Sequence, residues 1–281
     1  MMRYKHLRAI KFAKFWKLGK FVVLLLLFVS CRETPVPPAP TLIAAPTIER
    51  RLVGLVDEGQ RLDSLTVFDN PGLVWQFETG DGQPLLDAVA SGELDAALVH
   101  HLPLSAETLY HTPVALDGLV LVVHPDNPIN DLTLGQIQAI YSGQLTYWHE
   151  LGGADAPIEL LVRGKGSGVR ELLQERVMGS QRVSINAEIR PNTALLQATI
   201  AENRNAIGLT TYSSLTEIVQ AVAINGIAPH PTQFATQQYP LMTPLYWVSQ
   251  SEPTGELRGL LAYLQSEAGQ VALGAWFGRI R

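Results

Sequence analysis

The segment from Arg163 to Arg170, Arg-Gly-Lys-Gly-Ser-Gly-Val-Arg, brings together groups that bind small anions. It follows a stretch typical of a strand and leads into one typical of a helix, and its glycines allow a ligand close to the backbone. The first N–H groups of a helix are unpaired and carry partial positive charge, while Arg163 and Ser167 add a guanidinium and a hydroxyl. These donors suit a tetrahedral oxyanion. The alternative is an ordinary capped turn with Arg163 and Lys165 in solvent.

Catalytic chemistry is not indicated by this segment. It lacks the G-x-x-x-x-G-K-[ST] pattern of a P-loop, and Lys165 rather than glycine stands two residues before Ser167, so there is no nucleophile elbow. No acidic pair stands at catalytic spacing, and no clear Ser-His-acid order supports a hydrolase that uses Ser167. Adjacent His100 and His101 would point to opposite faces of a strand, which disfavours a shared metal. We therefore expect no enzymatic activity, no cofactor and no metal.

The elements that must hold this segment alternate between two apolar patterns. Short aliphatic runs predict strands at 42–45, 65–70, 94–99, 119–123, 158–162, 207–211 and 245–249. Helix-like patterns lie at 50–58, 84–92, 133–141, 169–177, 193–202 and 257–273. Apolar strands that alternate with helices predict an α/β fold with mostly parallel sheets covered on both faces.

Charge is distributed unevenly along the 281 residues, which include 21 basic and 26 acidic side chains. Seven basic residues and no acidic ones lie in the first 30 positions, so the rest of the chain has 14 basic against 26 acidic residues, net −12. Such an acidic chain lacks the electrostatic footprint for nucleic acid or an anionic lipid surface. We expect no nucleic-acid partner.

The N-terminus has the pattern of an export signal. A basic stretch precedes nine apolar residues at 21–29, then Ser30 and Cys31, the only cysteine. The apolar run is too short to cross a bilayer, which needs about 20 residues, and has the length of a signal-peptide core. A small residue before a cysteine resembles a bacterial lipobox, which implies cleavage after residue 30 and acylation of Cys31. The alternatives are an uncleaved signal anchor and a plain secretory signal.

The proline-rich stretch that follows, 31–40, predicts a semi-rigid tether. It would hold a globular domain away from the bilayer. We therefore expect the mature protein at the extracytoplasmic face of the cell membrane, anchored by lipid on Cys31.

Five segments occur in the order and spacing of the phosphate-binding proteins of ABC importers, which this sequence resembles. The match covers nearly all of the chain from about residue 41 onward. The segments are 127–153, with Asn127-Pro128, Leu132-Thr133 and Tyr141-Ser142-Gly143; the Arg163–Arg170 loop; Ala206-Ile207-Gly208-Leu209; 239–248, beginning Tyr239-Pro240-Leu241; and 266–270, Ser-Glu-Ala-Gly-Gln.

The resemblance implies a two-lobed type II periplasmic-binding-protein fold. Lobe 1 would comprise 41–123 and 240–281, lobe 2 would comprise 124–239, and two strand crossings would form the hinge. The ligand would lie between the lobes at helix starts, and closure would trap it. A membrane permease would then recognise the closed form of a monomeric receptor.

Carried over residue by residue, the resemblance also implies which residues contact the ligand. These are Arg163, Ser167, Gly168, Val169, Thr47, Thr79, Gly80 and Gly82. Val169 stands where the family usually has threonine, so a hydroxyl donor is lost there and only the backbone N–H remains. Asp81, between the two glycines of the second loop, would repel an anion unless it caps the following helix.

His100 leaves the identity of the ligand open. It stands where the phosphate receptors carry an acid that accepts the proton of a phosphate oxygen. The stretch 95–100, Asp-Ala-Ala-Leu-Val-His, instead resembles tungstate-binding receptors of the same superfamily, in which His100 would donate to a deprotonated oxyanion. Phosphate is the expected ligand. A tungstate or molybdate receptor and a non-transporting sensor or binding module on the same fold are the alternatives.

Overall fold

The computed structural model describes residues 50–53, 75–78 and 80–280. The predicted signal peptide, the tether and Cys31 lie outside the described residues, as do Thr47, Thr79 and the strands predicted at 42–45 and 65–70. No helix in the described ranges is long and apolar enough to cross a membrane.

Strands and helices alternate along most of the described chain. The strands are β1 (Arg50–Val53), β2 (Trp75–Glu78), β3 (Ala96–Val99), β4 (Tyr110–Val123), β5 (Asp131–Leu132), β6 (Glu159–Arg163), β7 (Glu188–Arg190), β8 (Ala206–Thr211), β9 (Gln220–Ile224) and β10 (Met242–Ser249). The helices are α1 (Gly82–Ser91), α2 (Leu134–Ser142), α3 (Gly168–Leu173), α4 (Thr193–Glu202), α5 (Pro231–Ala235), α6 (Gly255–Gln265) and α7 (Glu267–Leu273). Short 3₁₀ turns lie at Leu104–Ala106, Trp148–Leu151 and Tyr212–Ser214, and α3 continues into a π-helical turn at Gln174–Met178.

The strands form a mixed sheet in the order β2-β1-β3-β10-β4-β8-β6-β7. β1 is parallel to β2 and β3, and β6 is parallel to β7 and β8, whereas β4 and β10 run antiparallel to their neighbours. β9 pairs with β4 and β5 off this path. The predicted α/β class is confirmed, although antiparallel strands occupy the centre, where the apolar pattern indicated mostly parallel pairing.

β4 is a 14-residue strand that changes partner along its length. Up to Gly118 it pairs with β10, and from Leu119 to Val123 it pairs with β8. The pairing with β10 shifts register next to Pro113, which has no N–H to give to the ladder. The sequence predicted only 119–123 as a strand because Pro113 and the polar residues before it break the apolar pattern.

Buried side chains form separate apolar clusters in the two parts of the sheet that β4 joins. One cluster includes Leu121, Trp148 and Phe234. Another includes Trp247 and Phe277. Along β4 the cluster changes between Ala115 and Leu116, three residues before the strand changes partner after Gly118.

Two predicted helices differ from the structure. Residues 50–53 of the helix predicted at 50–58 form β1, which pairs with β2 on one side and β3 on the other. Pairing with both neighbours is a tertiary effect that outweighs local preference. The helix predicted at 257–273 is divided at Ser266, whose extended backbone ends α6 and whose hydroxyl accepts the N–H of Gly269 to cap α7.

Candidate functional site

Arg163 is the last residue of β6, and its side chain is almost fully buried. Its Nη1 donates to Oγ1 of Thr193 at 2.7 Å, and its Nη2 donates to the carbonyl oxygen of Pro191 at 3.1 Å. Both partners lie between β7 and the start of α4, so two neighbouring elements fix the plane of the guanidinium. Burial lowers the pKa of Arg163 to about 10, which leaves the group charged at neutral pH.

The loop after Arg163 turns the chain into α3 with Ser167 at the helix start. Gly166 has a φ of +91°, a left-handed conformation that favours glycine. Ser167 is fully buried, yet its hydroxyl makes no cap bond to α3 and has no hydrogen-bond partner in the part of the chain that the structure describes. A buried unsatisfied hydroxyl costs about 1–3 kcal/mol, so this position indicates a group that a ligand completes.

Gly168 and Val169 form the first turn of α3, where backbone N–H groups have no helical acceptor. The side chain of Val169 is buried in the cluster around Trp148. It therefore faces the core, and the backbone N–H of Val169 is the group that this residue can offer to an anion. A valine fits this orientation because the side chain packs with apolar neighbours.

The start of α1 faces the start of α3. The N–H of Gln83 donates to the carbonyl oxygen of Gly166 at 3.0 Å. A Cβ atom placed on Gly82 would lie 3.7 Å from the nitrogen of Gly168. Two helix starts thus converge beside Arg163, and their partial positive charges add in the space between them.

Asp81 does not cap the next helix, which was the condition under which its carboxylate would not repel an anion. It occupies the N-cap position of α1, but its side chain makes no cap bond. Instead Oδ1 of Asp81 accepts from Nη2 of Arg163 at 2.6 Å. Partial burial raises the pKa of Asp81, and the carboxylate places a negative charge directly on the predicted anion contact.

His100 belongs to a second buried network. Its Nε2 lies 2.9 Å from Oδ2 of Asp117. Asp117 also accepts the hydroxyl of Ser213 at 2.6 Å and the N–H of Gly118 at 2.7 Å. His101 is different, since it is partly exposed and lies 3.5 Å from a carboxylate oxygen of Glu175. Among the described hydrogen bonds, none joins this network to Arg163.

The structure therefore divides the predicted ligand contacts into groups. It brings together Arg163, Ser167, Gly168, Val169 and Gly82, with Gly80 two residues before the start of α1. His100 lies in the separate network, and Thr47 and Thr79 are outside the described residues.

Two contacts of Arg163 were not predicted from the sequence, one with Thr193 and one with Asp81. Thr193 lies 30 positions away and carries no local motif. Asp81 did carry a signal, because a carboxylate in a loop expected to face an anion site needs a cation nearby.

The chemical character of this group is that of a binding site. It offers a guanidinium, a hydroxyl and backbone N–H groups to negative charge. The hydroxyl of Ser167 has no described base beside it, and no three metal-binding side chains cluster in the described ranges. The arrangement can hold a small oxyanion.

Sequence comparisons find a matching family model and named relatives. A family model, described as a PBP superfamily domain, matches residues 74–268. The chain is 31% identical over 191 residues to the phosphate-binding protein PstS of Bacillus subtilis, which covers 67% of this chain and 63% of that protein. It is 31% identical over 126 residues to PstS of Pseudomonas aeruginosa, covering 40% and 38% of the two chains. The chain thus spans less than two thirds of the length of these curated relatives.

Solved structures agree on the fold. A substrate-binding protein from Clostridium perfringens, assigned to a phosphate ABC transporter and solved with bound phosphate, superimposes with a TM-score of 0.78 and 26% identity. The match covers 83% of this chain and 100% of that one. An ABC-type phosphate transport receptor from Vibrio cholerae gives a TM-score of 0.66 with 24% identity over the same shares.

Proposed function

The chain belongs to the PBP superfamily, and from this membership we propose that it is the substrate-binding protein of an ABC importer for an inorganic oxyanion, phosphate. The relatives named as phosphate-binding proteins and the phosphate-bound Clostridium structure support this ligand. The single observation that carries the proposal is local. A buried, charged Arg163 lies beside two facing helix starts and near a buried hydroxyl, on Ser167, that has no described partner.

Each group at the site has a distinct role in this proposal. Arg163 supplies charge and directed hydrogen bonds. Ser167 supplies a hydroxyl, while Gly168 and Val169 supply backbone N–H groups from α3. Gly80 and Gly82, at the start of α1, contact the ligand from the side opposite α3. The family resemblance also assigns ligand contacts to Thr47 and Thr79, which lie outside the described residues. The protein binds the ion and does no chemistry on it.

We also propose the two lobes, 41–123 with 240–281 and 124–239, as the parts that close on the ligand. The change of partner in β4 and the separate apolar clusters support a division near this position. The contact between the N–H of Gln83 and Gly166 crosses this division, as does the contact between Asp81 and Arg163. Closure of the two lobes would therefore change the geometry of these two contacts.

The setting of the protein is proposed from its N-terminal sequence. Cleavage after residue 30 and acylation of Cys31 would anchor a monomeric receptor outside the cytoplasm, with 31–40 as the tether. The partner would be a membrane permease. Mass spectrometry of the membrane fraction tests this part, because an unmodified Cys31 would contradict the anchor.

Calorimetric titration with phosphate, sulfate, molybdate and tungstate tests the ligand. The full chain, solubilised in detergent, is first unfolded and refolded to remove any ligand carried through purification. Phosphate should bind and Arg163→Lys should weaken it about 10- to 100-fold, because an ammonium cannot replace the guanidinium's directed bonds. Absence of binding by all four ions would contradict the proposal.

Arg190→Lys is the matched control. Arg190 is the register partner of Arg163 on β7, but it pairs with Glu188 and is more exposed. The substitution also replaces a guanidinium by an ammonium, but on the neighbouring strand, so phosphate affinity should stay unchanged. Equal losses in both variants would mean that Arg163 is not a specific contact.

A further inference from the structure

Asp81 occupies the N-cap position of α1, but its side chain does not cap that helix. An aspartate at an N-cap ordinarily accepts an N–H from the first turn of its own helix. In this protein Pro84 has no N–H and the N–H of Gln83 goes to Gly166, and the Asp81 side chain reaches Arg163, 82 positions along the chain. The guanidinium that it meets is buried, whereas the Asp81 side chain is about one third exposed. The carboxylate is therefore the solvent-accessible member of the pair.

The contact uses hydrogen-bonding capacity that a ligand would need. Nη2 of a guanidinium carries two hydrogens. On Arg163 these go to Asp81 and to the carbonyl oxygen of Pro191, while Nη1 donates to Thr193. An oxyanion that approaches Nη2 thus finds its donors in use and a negative charge beside them.

We propose that the Asp81 carboxylate is a built-in counter-ion that an incoming oxyanion displaces from Arg163. This inference rests on the proposed function, since it concerns the same site. In the empty protein Asp81 gives the buried guanidinium a carboxylate partner, which offsets part of the cost of burying its charge. When the anion binds, Asp81 leaves Nη2 and turns to solvent.

The partial exposure of Asp81 makes the exchange feasible. Its side chain is about one third exposed, so a change of side-chain rotamer suffices to bring its oxygens into water. The first turn of α1 offers no free cap donor, because Pro84 has no N–H and the N–H of Gln83 is given to Gly166. The displaced group also remains in the favourable field of a helix start.

The same competition selects the class of ligand. A monocarboxylate or chloride offers Arg163 no more charge than Asp81 already provides. A doubly charged tetrahedral oxyanion offers more charge and can also reach Ser167 and the N–H groups of α3. Competition with Asp81 for Arg163 therefore makes the site bind dianions more tightly than monoanions.

Phosphate calorimetry on Asp81→Asn tests this inference. Asparagine has nearly the same size, but it carries no charge to compete with the ligand. We expect phosphate to bind at least about tenfold more tightly than to the unmodified chain, because a like charge next to the ligand is removed. Acetate should not bind measurably to the unmodified chain and should become detectable with Asp81→Asn.

Asp87→Asn is the matched control, since Asp87 is an exposed carboxylate on the same helix and accepts from Gln83. It changes the net charge equally and should leave phosphate affinity within about twofold. Asp81→Ser serves as the second variant if the asparagine protein does not fold, because serine is also uncharged and is smaller than asparagine.

The outcomes separate this inference from the proposed function. If the unmodified chain and the Asp81 variants bind phosphate equally, the site is right and the counter-ion role is wrong. If Asp81→Asn binds more weakly, Asp81 is a direct ligand contact and the inference fails. If no protein in the set binds phosphate, the proposed function fails and the inference fails with it.

Discussion

Nε2 of His100 lies 2.9 Å from Oδ2 of Asp117, and both side chains are buried. Asp117 follows Leu116 in β4 and precedes Gly118, where that strand changes partner. A carboxylate accepts hydrogen bonds, so the contact needs the proton on Nε2. In the neutral imidazole Nδ1 then carries a lone pair, and this atom is buried with no hydrogen-bond partner in the described ranges.

If His100 contacts the ligand, as the family resemblance implies, this geometry would favour phosphate over tungstate or molybdate. A neutral His100 whose Nε2–H is given to Asp117 has an acceptor left and no donor, so it suits a ligand oxygen that carries a proton. Phosphate at neutral pH has such an oxygen, and tungstate does not. Competition calorimetry should therefore give the tightest binding for phosphate. Tighter binding of tungstate would instead assign His100 a donor role and require a charged imidazole.

Ser167→Ala should weaken phosphate binding without lowering the stability of the fold. The hydroxyl has no described partner and its burial costs the fold about 1–3 kcal/mol, so its removal should leave the free energy of unfolding unchanged or raise it by up to that amount. Phosphate affinity should fall about 10- to 100-fold if one bond to a charged ligand is lost. Urea denaturation and calorimetry measure the two quantities.

Ser213→Ala is the contrasting control for that experiment. Its hydroxyl donates to the buried carboxylate of Asp117 at 2.6 Å. Loss of this bond should lower the free energy of unfolding by about 1–3 kcal/mol. If Ser167→Ala destabilised the protein as much as Ser213→Ala did, the hydroxyl of Ser167 would have an internal structural role.

Gly118→Ala should destabilise the point at which β4 changes partner. A Cβ at this position would lie 2.5 Å from Cε1 of Phe234 and 3.1 Å from Cε1 of Tyr239. Both rings are buried, and overpacking of this kind costs about 1–3 kcal/mol.

Gly259→Ala should have the opposite effect on the stability of the fold. Gly259 lies inside α6 with open space around its Cα, and alanine there should stabilise the protein by about 0.5–1 kcal/mol. Thermal unfolding of both variants checks the pair. A stabilised Gly118→Ala protein would mean that the rings move aside freely.

Glu150 should contribute to the acid sensitivity of the fold. The N–H groups of Tyr147 and Thr146 donate to its carboxylate and hold its pKa below the ordinary value. A carboxyl whose pKa is lower in the folded than in the unfolded state stabilises the fold above the unfolded pKa. That contribution is lost as pH falls through the folded pKa. Glu150→Gln should therefore lose less stability than the unmodified chain between neutral pH and about pH 3.

Thermal unfolding at several pH values measures that difference, and Glu107→Gln is the comparison. Glu107 is an exposed carboxylate at the end of the Leu104–Ala106 turn. An identical pH dependence for the Glu150 and Glu107 variants would contradict the role given to the two N–H groups.

Local sequence patterns predicted those parts of the fold that depend on residues close together in the sequence. The Arg163–Arg170 loop was recognised because glycines, a hydroxyl and a guanidinium stand together between a strand and a helix. The turn into α3 follows from those residues alone. The strand at 50–53 was mistaken for helix, and the full length of β4 was missed, because pairing with distant neighbours decides both.

The sequence by itself determined the α/β class, the family resemblance and most of the groups that can hold an anion. Only the tertiary structure decided which partners those groups have. The contact of Asp81 with Arg163 spans 82 positions, and the contact of His100 with Asp117 depends on β3 and β4 each lying beside β10. Side-chain hydrogen bonds are short-range, so they depend on which chain segments folding brings together, and no local pattern encodes that.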